Sequence, residues 1–472
     1  MIVAGDGAPE RHPEKAAQDR NNYLITQEQN AYLCGLESRP FSMPGLYLHI
    51  PFCRRKCAYC DFFSQARLSL KEPFVQALIR EMEQESAALP TSWDALSYQP
   101  TPGASGLPDR KAADLPQKPP LETVYFGGGT PSLLEAGDFC RIFQAIARCF
   151  DVSRCREITF EANPDDLDDA YLKSLAEVPA DLPGLSDFGD VPERVFPGLP
   201  FNRISIGCQS FVDGELQAVG RRHSARQAAE AVGRCREAGF RNISLDLMYG
   251  LPGQTIESFA HSLRTALELE VQHLSAYMLS LEPQVPLARS LARGSWQECD
   301  DQTAEKMFLL LCHEAEKAGF EHYEISNFAL DGRRSRHNSA YWKGVAYLGL
   351  GPGAHSYFPQ AHRRRWNAPD LKGYVDGRCA QEQEQLSLTD QYNELIMTRL
   401  RTRDGLLLDE VKELDREGRF YRHLTAQAMP YLKDGKLALT EDARMILASE
   451  ALFVSDSILS DLFITDGPEP IR

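Results

Sequence analysis

One cysteine-rich loop organises the sequence, and residues 47–63 around it read YLHIPFCRRKCAYCDFF. The apolar run at 45–50 predicts a strand that ends at a proline. Three cysteines follow with the spacing C-x3-C-x2-C, and we call them the loop cysteines: Cys53, Cys57 and Cys60. Thiolates suit iron–sulfur clusters and zinc, but a structural zinc site needs four closed ligands. The pattern therefore favours a cluster with one open iron over zinc, or over three ordinary cysteines on a basic loop.

The residues that flank the loop cysteines resemble the radical S-adenosylmethionine (SAM) superfamily. YLHIPFC and YCDF are similar to the branch of oxygen-independent coproporphyrinogen III dehydrogenases and HemW-type heme chaperones. The resemblance implies a [4Fe–4S] cluster on the loop cysteines, with SAM bound to the fourth iron through its amino and carboxylate groups. An electron from the cluster would then cleave SAM to a 5′-deoxyadenosyl radical. The dehydrogenases usually carry a fourth cysteine two residues later. Phe62 stands there instead, which favours the chaperone branch.

Composition and charge limit the classes of function. The chain has 472 residues, 43% of them hydrophobic, enough for a large domain and a smaller one. A net charge of −16 argues against nucleic acid as the main partner, because phosphate binding needs a basic surface. Residues 1–29 lack the apolar core of a signal peptide, and no apolar run reaches the ~18 residues that span a bilayer. Twelve cysteines in so long a chain are not a disulfide scaffold, so we expect a cytoplasmic protein.

The order of predicted elements indicates an α/β fold. Six strand–loop–helix units follow one another up to residue 320, with no hairpin turn between them. Such alternation predicts a parallel sheet covered by helices, which right-handed crossovers wind into a barrel. Six units predict a partial (β/α)6 barrel, and the resemblance implies the same. Because the polar motifs follow strands, we expect them at the carboxyl edge of the sheet.

We expect four parts in the chain. They are a poorly ordered N-terminal leader (1–43), the radical SAM barrel (44–320), an extension (321–380) and a mainly helical, winged-helix-like C-terminal domain (381–472). Two stretches rich in proline, near 90–120 and 179–200, interrupt the barrel pattern and are predicted insertions. Residues 381–385 are predicted to be a polar linker, and a strand pair is expected near 437–439.

Residues on the predicted strands and in the segments that follow them are candidate SAM contacts. Glycines after the second strand let a ligand approach the backbone closely. A carboxylate at a strand end can accept hydrogen bonds from a ribose or an amine, and an arginine can pair with a carboxylate. Taken singly, each also fits an ordinary turn, core or surface position. The resemblance implies that these residues bind SAM: Tyr47, Gly128, Gly129, Thr130, Glu161, Gln209, Arg221 and Asp246.

A second motif, HNxxYW at 337–342, separates the two branches. Histidine is a common heme ligand, and tyrosine and tryptophan offer flat apolar faces. The motif by itself also fits a histidine in an aromatic turn. It matches a motif that marks the HemW-type branch, so the resemblance implies heme binding by these residues: His337, Asn338, Tyr341 and Trp342. His355 is a second candidate, which we interpret as structural.

The sequence therefore predicts a heme chaperone that holds a [4Fe–4S] cluster, SAM and heme and passes heme to an acceptor protein. The alternative is an oxygen-independent coproporphyrinogen III dehydrogenase, which decarboxylates porphyrinogen propionates by radical chemistry. A third class is a radical SAM enzyme with an unrelated substrate, so enzymatic turnover stays open. Besides heme and its acceptor we expect an electron donor, no nucleic acid and no membrane span, and a homodimer stays open.

Overall fold

The computed structural model describes residues 44–89, 118–189 and 191–465. The predicted leader at 1–43 and most of the predicted insertion at 90–120 lie outside these ranges. Within them, no helix is long and apolar enough to cross a membrane.

Six parallel strands form the centre of the main sheet. They are β1 (Gly45–Ile50), β2 (Thr123–Gly128), β3 (Glu157–Ala162), β4 (Arg203–Gln209), β5 (Ile243–Tyr249) and β6 (His273–Met278). Each pairs in parallel with the next along the chain, so every crossover leads to the adjacent strand. In the part of the chain that the structure describes, the sheet is open. This confirms the predicted partial (β/α)6 barrel.

Helices follow each of these strands. They are α1 (Lys71–Ala88), α2 (Ala136–Cys149), α3 (Asp169–Ala176), α4 (Asp213–Ala218), α5 (Ala225–Ala238), α6 (Ile256–Glu268), α7 (Pro286–Ala292) and α8 (Asp301–Lys317). The sequence marks the ends of α5 clearly. Ser224 and Gln227 form a capping box at its start, and Gly239 ends it in the left-handed conformation at φ 114°.

Alternation along the strands separates an apolar outer face from a polar inner face. In β1, Leu46, Leu48 and Ile50 are fully buried in the hydrophobic core. Residues of the opposite parity face inward, and we call the space that they enclose the lumen. A cavity of ≈ 60 Å³ there is lined by Tyr125, Glu161, Arg203, Ser205, Ser244, Asp246, Ser275, Tyr277, Ser335 and Asn338. The barrel interior is therefore polar.

Further strands extend the sheet at both edges. At one edge, β7 (Glu321–Glu324) and β8 (Asn327–Ala329) form a hairpin beside β6. At the other, β9 (Tyr347–Leu350) runs parallel to β1. Three antiparallel strands follow it: β10 (His355–Phe358), β11 (Arg363–Asn367) and β12 (Gln381–Gln385). The prediction of a linker at 381–385 is wrong, because β12 pairs with β11 along its whole length. Two short helices lie in the same region, α9 (Arg336–Trp342) and α10 (Leu371–Val375).

The C-terminal region has its own hydrophobic core, centred on residues such as Tyr392 and Leu424. Its helices are α11 (Leu388–Leu400), α12 (Leu408–Leu414), α13 (Arg419–Lys433) and α14 (Ser455–Leu462). A small antiparallel sheet, in the order β13-β15-β14, consists of β13 (Leu406–Leu407), β14 (Leu437–Leu439) and β15 (Arg444–Leu447). Helices with a small sheet agree with the predicted helical, winged-helix-like domain.

The described part of the segment at 179–200 packs against the barrel core. Phe188 meets the ring of Phe143 edge-on at 5.3 Å, and Phe196 stacks on Phe240 at 4.4 Å. Both phenylalanines of the segment are at most 2% exposed. The segment is therefore packed in spite of its prolines. Deleting it would expose the core phenylalanines that it covers.

Candidate functional site

The cysteine loop leaves β1 at the carboxyl edge of the sheet and packs against the turn after β2. The Gly129 N–H donates to the Ile50 carbonyl at 2.9 Å. A Cβ on Gly129 would lie 2.6 Å from the Phe52 carbonyl oxygen. Gly128 has φ 106°, and a Cβ there would lie 2.6 Å from the His49 ring. Both positions need glycine, because any side chain would push the turn away from the cysteine loop.

A continuous set of hydrogen bonds joins two loop cysteines through residues that follow other strands. Cys53 Sγ lies 3.3 Å from Thr130 Oγ1, to which Asn163 Nδ2 donates at 3.1 Å. Asn163 Oδ1 accepts from Arg221 Nη2 at 2.8 Å, and Arg221 Nη1 donates to Cys57 Sγ at 3.4 Å. We call Thr130, Asn163 and Arg221 the polar bridge. These hydrogen bonds fix the positions of the Cys53 and Cys57 sulfurs relative to the strand ends.

The donor set fits an iron–sulfur cluster. Desolvation, with added repulsion from Cys57 and Cys53, raises the pKa of the Cys60 thiol to about 11. Three thiols that repel one another as thiolates need bound iron to hold them in that form. Among the described residues, no group of three or more His, Cys, Asp or Glu side chains is placed to hold a single metal ion. The loop brings three soft ligands close together, and thiolates are the donors that an iron–sulfur cluster takes.

Two carboxylates, Glu161 and Asp246, face each other across the lumen. Tyr125 Oη donates to Glu161 Oε1 at 2.8 Å, and the Gly128 N–H donates to Oε2 at 3.2 Å. Ser205 Oγ donates to Asp246 Oδ1 at 3.2 Å. Burial raises the pKa of Glu161 to about 7 and that of Asp246 to about 6. A ligand rich in hydrogen-bond donors or carrying positive charge would stabilise the charged form of both carboxyls.

The remaining predicted SAM residues lie on the same surface. Gln209 ends β4 with φ 75°, and the β4–β5 register shifts between Gly207 and Gln209. A left-handed backbone at a non-glycine residue is a strain that often occurs at functional sites. Tyr47 lies deeper, with its hydroxyl 3.1 Å from His49 Nδ1 and its ring 6.2 Å from that of Tyr125. The structure therefore brings the predicted SAM residues together along the inner face and carboxyl edge of the sheet.

Sequence reasoning missed Asn163, the central member of the polar bridge. Its amide contacts both Thr130 and Arg221, so it links the turn after β2 to the segment after α4. A signal was present, because Asn163 follows β3 directly, just as the other polar motifs follow their strands.

The HNxxYW motif lies elsewhere, at the amino-terminal end of the lumen. Glu157, the first residue of β3, accepts from the His337 N–H at 3.0 Å and so holds the start of α9. His337 Nδ1 is 2.7 Å from Thr123 Oγ1, and Nε2 is 2.8 Å from Tyr341 Oη. The side chain is 2% exposed, and its ring stacks on Tyr125 at 4.9 Å. Burial lowers the pKa of His337 to about 3.

In this structure the residues of the motif, which the resemblance links to heme, contact other parts of the protein. Both ring nitrogens of His337 are engaged, so neither is free for iron. Asn338 lines the lumen cavity, and Tyr341 packs edge-on against Tyr347 at 4.6 Å. The Trp342 ring is covered by the Arg401 guanidinium at 4.7 Å. In this structure the motif packs across the amino-terminal end of the lumen, which we call the barrel floor.

Comparisons with known proteins agree with the fold and the cysteine loop. Residues 47–186 and 193–266 match the model of the radical SAM superfamily. The heme chaperone HemW of Bacillus subtilis is 34% identical over 335 residues, covering 71% of this chain and 76% of that protein. The chain belongs to the HemW family of the radical SAM superfamily.

Other relatives and one solved structure extend the match. HemW of Lactococcus lactis is 29% identical, covering 89% of this chain and 97% of that protein. In Danio rerio, radical S-adenosyl methionine domain-containing protein 1, mitochondrial, is 27% identical over 89% of this chain and 87% of its own length. The structure of Escherichia coli coproporphyrinogen III oxidase (HemN), a radical SAM enzyme, covers 92% of this chain and 93% of its own. Its TM-score is 0.67 at 19% identity, which shows a shared fold.

Proposed function

We propose that this HemW-family protein is a heme chaperone that binds a [4Fe–4S] cluster, SAM and heme and delivers heme to an acceptor protein. The observation that carries the proposal is the polar bridge, because it ties the loop cysteines to the predicted SAM residues. The similarity to relatives named heme chaperones supports heme as the cargo.

Each part of the site has a defined task in this proposal. The loop cysteines hold the cluster, and the polar bridge fixes the position of two of their sulfurs. Glu161 and Asp246 accept hydrogen bonds from SAM, and these donors stabilise the two carboxylates against the burial that raises the pKa of each. When bound, the cluster would supply the electron that cleaves SAM. The glycine turn brings backbone N–H groups to the same edge of the sheet.

The residue in the fourth-cysteine position favours a chaperone over a dehydrogenase. Phe62 is 63% exposed in the cysteine loop and brings no ligand to a cluster. The shared fold with coproporphyrinogen III oxidase does not decide this question, because one fold supports different functions.

We further propose the partners and the division of the chain that the sequence predicts. An electron donor and a heme acceptor would both act in the cytoplasm, and a homodimer remains an arrangement to test. The barrel at 44–320, the extension at 321–380 and the C-terminal domain at 381–472 would each form one part of the carrier. The two separate hydrophobic cores support a division near residue 385.

A heme titration tests the cargo. The protein is reconstituted anaerobically with iron and sulfide, SAM is added, and heme is titrated while the Soret band is followed. We expect saturation at about one heme per chain, as a site with one axial ligand gives. The control is the same titration into buffer without protein, which reports the Soret band of free heme. Absence of a saturable Soret change above this control would overturn the proposal.

A further inference from the structure

One exposed histidine stands apart from the buried ones. His355 begins β10 and pairs in register with Trp366 on β11. The two rings stack at 5.7 Å with 20° between their planes. The His355 ring forms no hydrogen bond to any residue that the structure describes. Partial desolvation and the nearby Arg364 charge lower the pKa of His355, so the imidazole is neutral at pH 7 with a lone pair free.

Other histidines do not combine these features. The rings of His49, His273 and His337 are buried and hydrogen-bonded through both nitrogens. His362 is exposed but lies at the opposite end of the β10–β11 hairpin, at the turn. In the described chain, an accessible imidazole stacked on an indole is found at His355 alone.

The loop before His355 packs against the cysteine loop. A Cβ on Gly353 would lie 3.5 Å from the Phe63 Cβ, and Phe63 is the neighbour of the exposed Phe62. A Cβ on Gly351 would lie 2.6 Å from the His49 carbonyl oxygen. The loop before His355 therefore lies at the carboxyl end of β1, next to the cysteine loop.

A buried carboxylate holds this loop in place. Glu81 on α1 accepts from the Gly351 N–H at 2.8 Å and from Asn367 Nδ2 at 2.6 Å. Asn367 also donates to the Gly351 carbonyl at 2.9 Å, and its own carbonyl accepts from the Gly353 N–H at 3.1 Å. The residues on both sides of His355 and Trp366 are thus fixed before any ligand arrives, as a prepared site requires.

The face around His355 suits a porphyrin ring. Tyr357 and Tyr347 lie on the same side of the antiparallel strands, with rings 6.2 Å apart. Arg364 pairs with Glu394 at 2.7 Å and with Glu384 at 3.8 Å, so the face carries little net charge. A large apolar ring with its propionates directed toward solvent matches such a surface.

We propose that His355 is the axial ligand of heme iron in this protein, with Trp366 holding the imidazole plane upright beneath the porphyrin. The inference rests on the proposed function, and it assigns the iron bond to the edge of the sheet near the cysteine loop. His337, by contrast, closes the barrel floor. Because an axial imidazole stands perpendicular to the heme plane, a parallel indole orients it without covering the iron.

Chemical rescue tests the assignment. Heme is titrated into wild-type protein and into His355→Ala, His337→Ala and His362→Ala, each with and without free imidazole. His355→Ala should bind heme about tenfold more weakly with a shifted Soret band, and imidazole should restore the band. His362→Ala, the matched control on the same hairpin, should match wild type. Iron, sulfide and SAM binding should be unchanged in His355→Ala, which excludes misfolding.

Two results would overturn the assignment, and they differ from failure of the proposed function. If wild-type protein binds heme and His355→Ala gives the same band and affinity, His355 is not the ligand. If His337→Ala shifts the band and imidazole restores it, the barrel floor opens and His337 is the ligand. If wild-type protein takes up no heme, the proposed function itself fails.

Discussion

Glu161 should give the ligand-free protein a measurable loss of stability with rising pH. Burial raises the pKa of Glu161 from 4.5 to about 7. Between these values the unfolded chain releases the proton while the folded chain keeps it, so stability falls as the pH rises. Below pH 4.5 both states are protonated and the carboxyl contributes its full stability. The loss should reach about 3 kcal/mol by pH 8.

Glu161→Gln removes this titration at a small cost. The amide oxygen can still accept from Tyr125, but the amide nitrogen would face the Gly128 N–H and lose that 3.2 Å hydrogen bond, about 1 kcal/mol. Wild type has already lost about 1 kcal/mol by pH 5, so the variant should be about as stable as wild type at pH 5 and about 2 kcal/mol more stable at pH 8. SAM affinity should fall at pH 8, because the carboxylate acceptor is gone.

The assay is urea unfolding of the protein without cluster or SAM, followed by circular dichroism at pH 5 and pH 8. Glu237→Gln, a matched change at an exposed glutamate of α5, should leave the difference between the two pH values as in wild type. SAM binding to the reconstituted variant is measured by calorimetry. The reasoning fails if Glu161→Gln is destabilised equally at both pH values, since the buried charge would then carry no penalty.

Three further predictions concern the cluster, the polar bridge and the C-terminal contact. Alanine at any loop cysteine should abolish cluster absorbance and bound iron after reconstitution, whereas Cys235→Ala, in the α5 core, should retain both; zinc without sulfide in wild type would contradict this. Thr130→Val keeps the shape but removes the hydroxyl near Cys53, so SAM affinity should drop about tenfold by calorimetry with iron content retained; an unchanged affinity would contradict the role of the bridge. Arg401→Met leaves the buried Glu324 without its partner at 2.9 Å and should lower stability by about 3 kcal/mol in urea unfolding, with an effect below about 1 kcal/mol counting against it.

Much of the fold could be predicted from sequence because its strands carry strong local signals. β2 contains an apolar run that ends in glycine, β4 alternates polar residues with isoleucine and cysteine before a polar motif, and the structure places strands at both. Parallel strands of this kind are buried on both sides of the sheet, so their residues stand out from the loops around them. The motifs after those strands then meet at one edge, which is why the SAM candidates were found together.

What the sequence did not predict depends on long-range pairing. Gln381–Gln385 is a fully exposed strand with no apolar residue, and only its backbone ladder to β11 makes it a strand. His337 carries a motif that the resemblance links to heme, yet its ring bonds Thr123, 214 residues away, and that contact closes the ring off. The position of Asn163 after β3 was a signal, but its partners Thr130 and Arg221 lie far away in the sequence and only the fold brings them to it. A local sequence pattern cannot identify contacts between residues that are far apart in the chain.

The central claim is that this protein carries heme and does not decarboxylate a porphyrinogen, and one turnover measurement tests it most directly. Reconstituted protein with a full cluster is incubated anaerobically with SAM, a reductant and coproporphyrinogen III, and the products are separated by chromatography. The account predicts coproporphyrinogen III recovered unchanged, from protein that binds heme in a parallel sample. Formation of decarboxylated product above that of the loop-cysteine variants would contradict it and identify the protein as a dehydrogenase.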